Sequence, residues 1–181
     1  PPLYSSPVLA AQYRSPHLSA MPELPAPLSA INPWWVMPDR LAGLRKPTEP
    51  ELTVLSKQHG IHALVSLLSD SSNLDLYQTN AIPHIWVPIQ GGTAPSLDQL
   101  TQIKTFVDSQ HALGQGVAIH CSSGRRRTGT VLAALLIQQG DSYPNALNTI
   151  LKANPAGELR DPQLKFLQCL SIGAPHKETL G

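Results

Sequence analysis

Apolar side chains along this chain follow two kinds of spacing, which predict strands and helices in alternation. Residues 61–67 alternate and are rich in strand-forming side chains, and residues 85–88 and 116–120 are shorter runs of the same kind. Each of these three segments predicts a strand. Two further short runs, residues 34–36 and 40–43, flank Met37-Pro38-Asp39 and predict a hairpin.

Longer stretches carry apolar residues at helical spacing. Thr48 with Glu51, and Ser96 with Gln99, have the three-residue spacing of a capping box at a helix start. The predicted helices cover residues 49–60, 97–113 and 129–139, a stretch after Tyr143-Pro144, and a last stretch from Asp161-Pro162. Residues 129–139 are apolar on all sides, which predicts a buried helix. Residues 69–79 are polar and turn-rich, and we predict no helix or strand there.

Strands that alternate with helices predict an α/β fold, with a central, mostly parallel sheet of four to five strands flanked by helices. Residues 33–172 are predicted to form this domain. Residues 1–32 contain seven of the 18 prolines and few charges, which predicts an extended, flexible tail. Residues 173–181 are predicted to be a C-terminal tail.

Composition narrows the classes of protein to consider. The 181 residues suit one domain, and 13 basic against 12 acidic residues give a net charge of +1, so no nucleic-acid partner is expected. The longest apolar run, 131–137, is too short to span a membrane, and we see no signal peptide. Two cysteines cannot build a disulfide framework, which favours a reducing compartment, and we expect a cytoplasmic protein. Cys169, on the last predicted helix, is predicted to fill space in the apolar core.

The chemistry concentrates in residues 120–130, His-Cys-Ser-Ser-Gly-Arg-Arg-Arg-Thr-Gly-Thr, between a predicted strand and a predicted helix. A loop at a helix N-terminus directs backbone N–H groups and the positive end of the helix dipole at an anion. Positive surroundings lower the pKa of a thiol such as Cys121 and favour its thiolate. Arg127 can hold two phosphate oxygens with its planar fork, and Thr128 can offer a hydroxyl proton to the sulfur. The pattern indicates a cysteine nucleophile aimed at a phosphoryl group.

The motif His-Cys-x-x-Gly-x-x-Arg-Thr-Gly resembles the signature of the cysteine-dependent protein phosphatases. Trp35-Val36-x-Pro38-x-Arg40-Leu41-Ala42-Gly43, with residues 62–67, resembles the opening of the small atypical dual-specificity phosphatases. The resemblance implies a dual-specificity-phosphatase-like fold and hydrolysis of phosphomonoesters on proteins, without metal or cofactor, by a monomer. It implies that Cys121 forms a phosphocysteine, helped by Arg127, Thr128 and His120. The phosphate-binding residues it implies are Ser122, Ser123, Gly124, Arg125 and Arg126.

One expected part of this machinery is missing. The family carries an aspartate, which protonates the leaving oxygen, on the loop after the preceding strand, but here Ile89 stands at the expected position. Glu158 or Asp161, on the loop before the last helix, is our candidate replacement. Asp98 and Asp70 are alternatives. A leaving group that hardly needs protonation, or a binding role without turnover, would also account for the loss.

Arg125 and Arg126, beside Arg127, leave the substrate class open. Both side chains could simply face solvent or pair with carboxylates. They could also favour a substrate with several phosphates, such as an inositol phosphate, a phosphoinositide or a phosphoanhydride. The alternatives to a protein phosphatase are therefore a phosphatase of polyphosphorylated small molecules and a phosphate-binding pseudophosphatase adaptor.

Overall fold

The computed structural model describes residues 30–173, which form five strands and six helices. Strands and helices alternate along most of the chain, as the apolar spacing predicts. In chain order they are β1 Trp34–Met37, β2 Leu41–Leu44, α1 Glu49–His59, β3 Ile61–Ser66, α2 Leu74–Thr79, β4 His84–Trp86, α3 Leu97–Ala112, β5 Gly116–His120, α4 Arg126–Gln138, α5 Tyr143–Ala153 and α6 Asp161–Gly173.

The strands form one sheet in the order β1-β2-β5-β3-β4. β1 and β2 are an antiparallel hairpin, and the other neighbours are parallel. His120, the last residue of β5, lies in register with Leu44 of β2 and Ser66 of β3. The loop that follows β5 therefore leaves the sheet between the carboxyl ends of two parallel strands, where α/β proteins form their sites. The fold class is confirmed.

Apolar layers cover both faces of the sheet. The larger layer lies against α3, α4, α5 and α6, and the smaller one includes residues of α1 and α2. Every residue from 128 to 137 in α4 is buried, so this helix crosses the centre of the larger layer, as its apolar sequence predicts. Ile31 is also buried, in the smaller layer. The rest of the predicted N-terminal tail, residues 1–29, lies outside the described residues, as do residues 174–181.

Capping residues fix both ends of the loop that joins β4 to α3. The hydroxyl of Ser96 accepts from the Gln99 N–H at 3.1 Å, and the Gln99 side chain accepts from the Ser96 N–H at 2.9 Å. The Gln99 amide also donates to the Pro88 carbonyl at 2.8 Å. The predicted capping box thus anchors the 88–95 loop as well as starting α3.

Three local predictions are wrong. Residues 74–79 form helix α2, whose one buried side chain, Tyr77, holds it against the core. Helix α4 begins at Arg126 and not at Gly129, because the residues of the signature supply its first turn. Cys169 is exposed on α6 and does not fill the core. Within residues 30–173, no helix has the length and apolar character needed to cross a bilayer.

Candidate active site

Residues 121–127, which we call the cysteine loop, are fastened to the ends of the neighbouring strands. The Lys46 N–H, two residues after β2, donates to the Ser122 carbonyl at 3.1 Å. The Leu67 N–H, directly after β3, donates to the His120 carbonyl at 2.9 Å. Both bonds hold the start of the loop in line with the sheet, so the position of Cys121 follows from strand pairing.

Gly124 is the one position of the loop where the backbone requires glycine. Its φ is +68°, and a Cβ built there would overlap the backbone of Leu44 and Arg45. Its carbonyl accepts from the Trp34 indole at 3.1 Å and from the Asn154 amide at 3.3 Å. The loop therefore lies directly on the end of β2, tied to β1 and α5.

Cys121 is 1% exposed and lies at the base of the loop. The Thr128 hydroxyl donates to its sulfur at 3.2 Å. Burial is the largest single influence and raises the pKa of Cys121. The Thr128 hydroxyl and the N–H groups of Thr128, Arg125 and Gly124 oppose it and together bring the pKa below its ordinary value. The loop is thus built to hold a negative charge on the sulfur.

Arg127 is half-buried at the far end of the loop, where three acceptors orient its guanidinium. Nη1 donates to the Ile89 carbonyl at 3.0 Å and to the Leu67 carbonyl at 3.4 Å, and Nη2 donates to the Ser122 hydroxyl at 3.0 Å. A guanidinium has five N–H donors. Two donors are left, so the fork is fixed in direction and still able to bind oxygens.

His120 is fully buried, and both of its ring nitrogens have partners. Nε2 lies 2.8 Å from the Tyr77 hydroxyl, and Nδ1 lies 3.1 Å from the Cys121 carbonyl oxygen. Burial lowers the pKa of His120 to about 4, so the ring is neutral at neutral pH. The ring therefore brings no positive charge to the site, and its contact with Cys121 is to the backbone carbonyl.

The remaining polar residues of the loop face solvent. Ser122, Ser123, Arg125 and Arg126 are exposed. Arg126 Nε donates to the Glu158 carbonyl at 3.0 Å, which links the loop to the segment before α6. Residues 30–173 contain two ion pairs, Arg45–Glu51 and Lys104–Asp108, and neither involves the cysteine loop. Its three arginines thus leave the rim of the site positively charged.

The surroundings of Ile89 and of the four candidate carboxylates differ in burial and in hydrogen bonding. Ile89 is 3% exposed and belongs to the core, so a carboxylate at that position would face apolar side chains and not the site. Glu158, Asp161 and Asp98 are exposed. The Asp70 carboxylate accepts from the hydroxyl and the N–H of Ser72. Those bonds, and to a lesser degree the charges of Lys46 and Arg127, lower the pKa of Asp70, so less of it carries a proton to donate at neutral pH.

Several supporting residues gave no signal in the sequence, because their contacts join distant parts of the chain. Gln163 is fully buried, donates to the Thr93 carbonyl at 3.1 Å and accepts from the Arg160 N–H at 3.0 Å. It thereby ties the 88–95 loop to the start of α6. Trp34 and Asn154 hold Gly124 in the same way. Amide and indole groups of this kind look like ordinary polar residues until the fold brings their partners close.

Comparisons with known proteins agree with this geometry. The family model described as "Polymorphic toxin system, DSP-PTPase phosphatase" matches residues 40–141. The human "Phosphatidylglycerophosphatase and protein-tyrosine phosphatase 1" is 37% identical over 75 residues, which are 41% of this chain and 37% of the relative. The matches span only 30–39% of the lengths of such curated relatives.

Two solved structures share the fold. The structure of Tk-PTP in its active form superposes with a TM-score of 0.71 and 29% identity, and covers 78% of this chain and 97% of its own. The structure of PTPMT1 in complex with PI(5)P has a TM-score of 0.68 and 20% identity, and covers 74% of this chain and 91% of its own. At that identity the second likeness concerns the fold alone.

Proposed function

This chain belongs to the DSP-PTPase phosphatase family of polymorphic toxin systems, and from that membership we propose that it hydrolyses phosphomonoesters through a phosphocysteine on Cys121. One observation carries the proposal. The Cys121 sulfur accepts hydrogen bonds from a hydroxyl and three backbone N–H groups, which favour its thiolate. It lies at the base of a loop that also carries Arg127. A buried cysteine that only fills the core has no need of this environment.

The reaction has two displacements at phosphorus. The Cys121 sulfur attacks, an S–P bond forms, the ester P–O bond breaks, and the leaving oxygen takes a proton from an acid or from water. Water then attacks the phosphocysteine, inorganic phosphate departs, and the sulfur regains its electron pair. The two free donors of Arg127 and the N–H groups of residues 122–126 bind the oxygens that gather charge in each transition state. The Thr128 hydroxyl stabilises the sulfur as it leaves.

We propose Glu158 or Asp161 as the acid of the first displacement. Arg126 supports this choice, because its bond to the Glu158 carbonyl fastens the segment that carries both carboxylates to the cysteine loop. Both residues are exposed. An acid is strictly required only when the leaving group is poor. The leaving group of a phosphoanhydride or an aryl phosphate departs with little protonation.

We propose a phosphorylated protein as the substrate, and a polyphosphorylated small molecule as the second candidate. The names of relatives support both classes, since one relative is called a phosphatidylglycerophosphatase and a protein-tyrosine phosphatase, and PTPMT1 has been crystallised with PI(5)P. The second candidate gains support from Arg125 and Arg126, which are exposed and outside both ion pairs of the described residues. Two exposed guanidinium groups beside a phosphate site suit a second phosphate.

We further propose that the protein acts as a monomer in a reducing compartment such as the cytoplasm. Both cysteines are free, and oxidation of Cys121 would remove the nucleophile. Size-exclusion chromatography with light scattering tests the oligomeric state.

The Cys121→Ser variant tests the function. It should release no phosphate from p-nitrophenyl phosphate or a phosphotyrosine peptide, while it still binds the peptide, because the N–H groups and Arg127 remain. Cys169→Ser, at the exposed second cysteine, is the matched control and should keep full activity. A wild-type chain that binds the peptide but releases no phosphate from any of these substrates would instead be an adaptor.

A further inference from the structure

The Gly124 carbonyl, in the middle of the cysteine loop, accepts hydrogen bonds from two side chains that lie outside the loop. Trp34 Nε1 donates to it at 3.1 Å from β1, and the Asn154 amide donates to it at 3.3 Å from the end of α5. A carbonyl oxygen has two lone pairs, so these two bonds use its full capacity. Gly124 is buried, which leaves water little access to either bond.

The same peptide unit carries the Arg125 N–H on its opposite side. A trans peptide is planar, so its C=O and its N–H point in opposite directions, and fixing one directs the other. Burial raises the pKa of Cys121, and the Arg125 N–H is one of the groups that oppose burial and lower it. The next carbonyl, that of Arg125, accepts from the Gly129 N–H at 2.8 Å in the first turn of α4. The Gly124–Arg125 peptide therefore joins the loop to the helix, with its carbonyl held from outside and its N–H on the sulfur.

The strand pairing of the hairpin places Trp34 where it can reach the loop. Trp34 lies in register with Gly43 of β2. A Cβ built on Gly43 would overlap the indole ring, so this glycine is what allows the ring to lie across β2. The far edge of the ring lies 4.0 Å from a Cβ built on Gly129 of α4. The indole is thus packed between a strand and a helix, with its N–H directed at Gly124.

The backbone of Asn154 is fixed on both sides. Its N–H donates to the Ile150 carbonyl at 2.9 Å, at the end of α5, and its carbonyl accepts from the Gly157 N–H at 3.0 Å. Neither backbone group is left to compete for the side-chain amide. The amide can therefore serve the cysteine loop, which begins 33 positions earlier in the chain.

We propose that Trp34 and Asn154 are positioning residues, which hold the Gly124–Arg125 peptide by its carbonyl so that the Arg125 N–H points at the Cys121 sulfur. This inference rests on the proposed function for its importance, but not for its test. Two bonds to the carbonyl also polarise the peptide and strengthen its N–H as a donor. If one side chain is lost, the other still holds the carbonyl. If both are lost, the carbonyl becomes a buried acceptor with no partner, and the peptide is free to turn.

Replacing these two side chains changes no charge at the site. The charged side chains that border the cysteine loop belong to the loop itself, to the ends of β2 and β3, and to the segment before α6. They are Arg125, Arg126, Arg127, Arg45, Lys46, Asp70, Glu158, Arg160 and Asp161. All of them are kept in the variants described below. A change in the titration of Cys121 would therefore report the orientation of the loop, and not a lost charge.

The first test is the double variant Trp34→Phe, Asn154→Ala in a Cys169→Ser background, so that Cys121 is the only thiol. Phenylalanine keeps an aromatic ring over Gly43 and removes the N–H. The rate of iodoacetamide alkylation as a function of pH gives the pKa of Cys121, which should rise by about one unit in the double variant. Each single variant should raise it by less than about a third of that, because the two donors share one acceptor. The acidic limb of the pH–rate profile on p-nitrophenyl phosphate should move to higher pH with the pKa.

The matched control makes the same two substitutions at neighbouring positions, Trp35→Phe and Asn148→Ala. Trp35 is on the same strand but packs against the smaller apolar layer, and Asn148 is exposed on α5. The control should leave the titration of Cys121 in place. An unchanged titration in the folded Trp34→Phe, Asn154→Ala variant, with only a lower melting temperature, would overturn the inference and leave Trp34 and Asn154 as packing residues.

A measurement on the unmodified chain tests the inference even if the double variant does not fold. The Trp34 indole N–H resonance in a nitrogen–proton NMR spectrum should move as Cys121 loses its proton, because one peptide connects the two groups. The Trp35 indole resonance should stay in place. A Trp34 resonance that also stays in place would refute the inference.

The two proposals can fail separately. If the double variant raises the pKa of Cys121 while the unmodified chain hydrolyses no phosphoester, the inference stands and the proposed function fails. If the unmodified chain hydrolyses p-nitrophenyl phosphate and the double variant titrates as the control does, the proposed function stands and the inference fails.

Discussion

The Arg127 side chain is hydrogen-bonded to the backbone of Ile89: Nη1 of the arginine donates to the Ile89 carbonyl at 3.0 Å. The side chain of Ile89 points the other way, into the core, where it is 3% exposed. The residue at the position expected for the acid thus contributes its carbonyl to the site and its side chain to the fold. Two residues on, Gly91 is exposed, and nothing lies within 4 Å of a Cβ built there.

This orientation predicts different outcomes for an aspartate placed at each position. Ile89→Asp should not supply an acid and should lower the free energy of unfolding by more than about 3 kcal/mol, because it buries a carboxylate among apolar side chains. Gly91→Asp should cost little stability and should speed hydrolysis of alkyl phosphates relative to p-nitrophenyl phosphate. Urea unfolding and steady-state rates on both substrates check the pair. Faster alkyl-phosphate turnover by Ile89→Asp would contradict the orientation argued above.

The carboxylates before α6 carry a separate prediction. If Glu158 or Asp161 is the acid, Glu158→Gln or Asp161→Asn should slow alkyl-phosphate hydrolysis by about 10²-fold or more and abolish the basic limb of the pH–rate profile. Turnover of p-nitrophenyl phosphate should change much less, because its leaving group needs little protonation. Asp108→Asn, at a carboxylate of α3 that pairs with Lys104 and not with the cysteine loop, is the control. Wild-type profiles for both variants would mean that neither residue donates the proton.

The hydrogen bond from the Thr128 hydroxyl to the sulfur leads to a prediction about the pH dependence of the rate. Thr128→Val removes the O–H that lowers the pKa of Cys121, so that pKa should rise. Because the thiolate is the reactive form, the acidic limb of the pH–rate profile should move to higher pH. Thr130→Val is the matched control, since its hydroxyl bonds to the Arg126 carbonyl within α4. An acidic limb that stays in place would mean that Thr128 does not stabilise the thiolate.

The strand, loop and helix around Cys121 could be predicted because their signals are local. Capping boxes act over three residues. Each of the apolar runs 61–67, 116–120 and 131–137 lies within a single strand or helix and predicts it. Helix α2 was missed because its six residues are too few to show a helical spacing of apolar positions. Its one buried side chain, Tyr77, bonds to His120, which lies 43 residues further along the chain at the end of β5.

The start of α4 and the side-chain direction of Ile89 illustrate a second limit. The sequence of the signature predicts a loop, but Arg126 and Arg127 already belong to helix α4. The helix can start there because the ends of β2 and β3 hold the cysteine loop by hydrogen bonds. Which face a loop residue presents depends on partners such as Gln99 and Gln163, which hold the 88–95 loop from two other helices. Spacing along the chain carries no information on such distant contacts.

The positive φ of Gly124 leads to a prediction about the stability and activity of a variant with a side chain at this position. Gly124→Ala should cost about 1–3 kcal/mol for the positive φ and more for the overlap with the backbone of Leu44 and Arg45. Activity should fall by more than about 10²-fold, since the N–H groups that face the sulfur would move. Gly91→Ala, in open space, is the matched control and should be near neutral. Melting temperatures and kcat on p-nitrophenyl phosphate check both, and an active Gly124→Ala would show that the loop tolerates displacement.

His120 makes a prediction about stability in acid. Its pKa is about 4 in the folded chain against about 6.5 when unfolded, so the unfolded state binds more protons between these values. Stability is therefore full above pH 6.5 and falls as the pH drops towards 4, by about 3 kcal/mol for this one group. Glu51, whose bond to Arg45 lowers its pKa to about 2, adds a further loss only below its unfolded pKa. Free energies from urea unfolding between pH 7 and 4.5 measure this loss above the range in which Glu51 contributes, and a Cys121→Ser background removes the thiol, whose pKa is also lowered. Glu51→Gln should keep the loss in that window, His120→Asn should flatten it, and a flat wild-type curve would refute a neutral, buried His120.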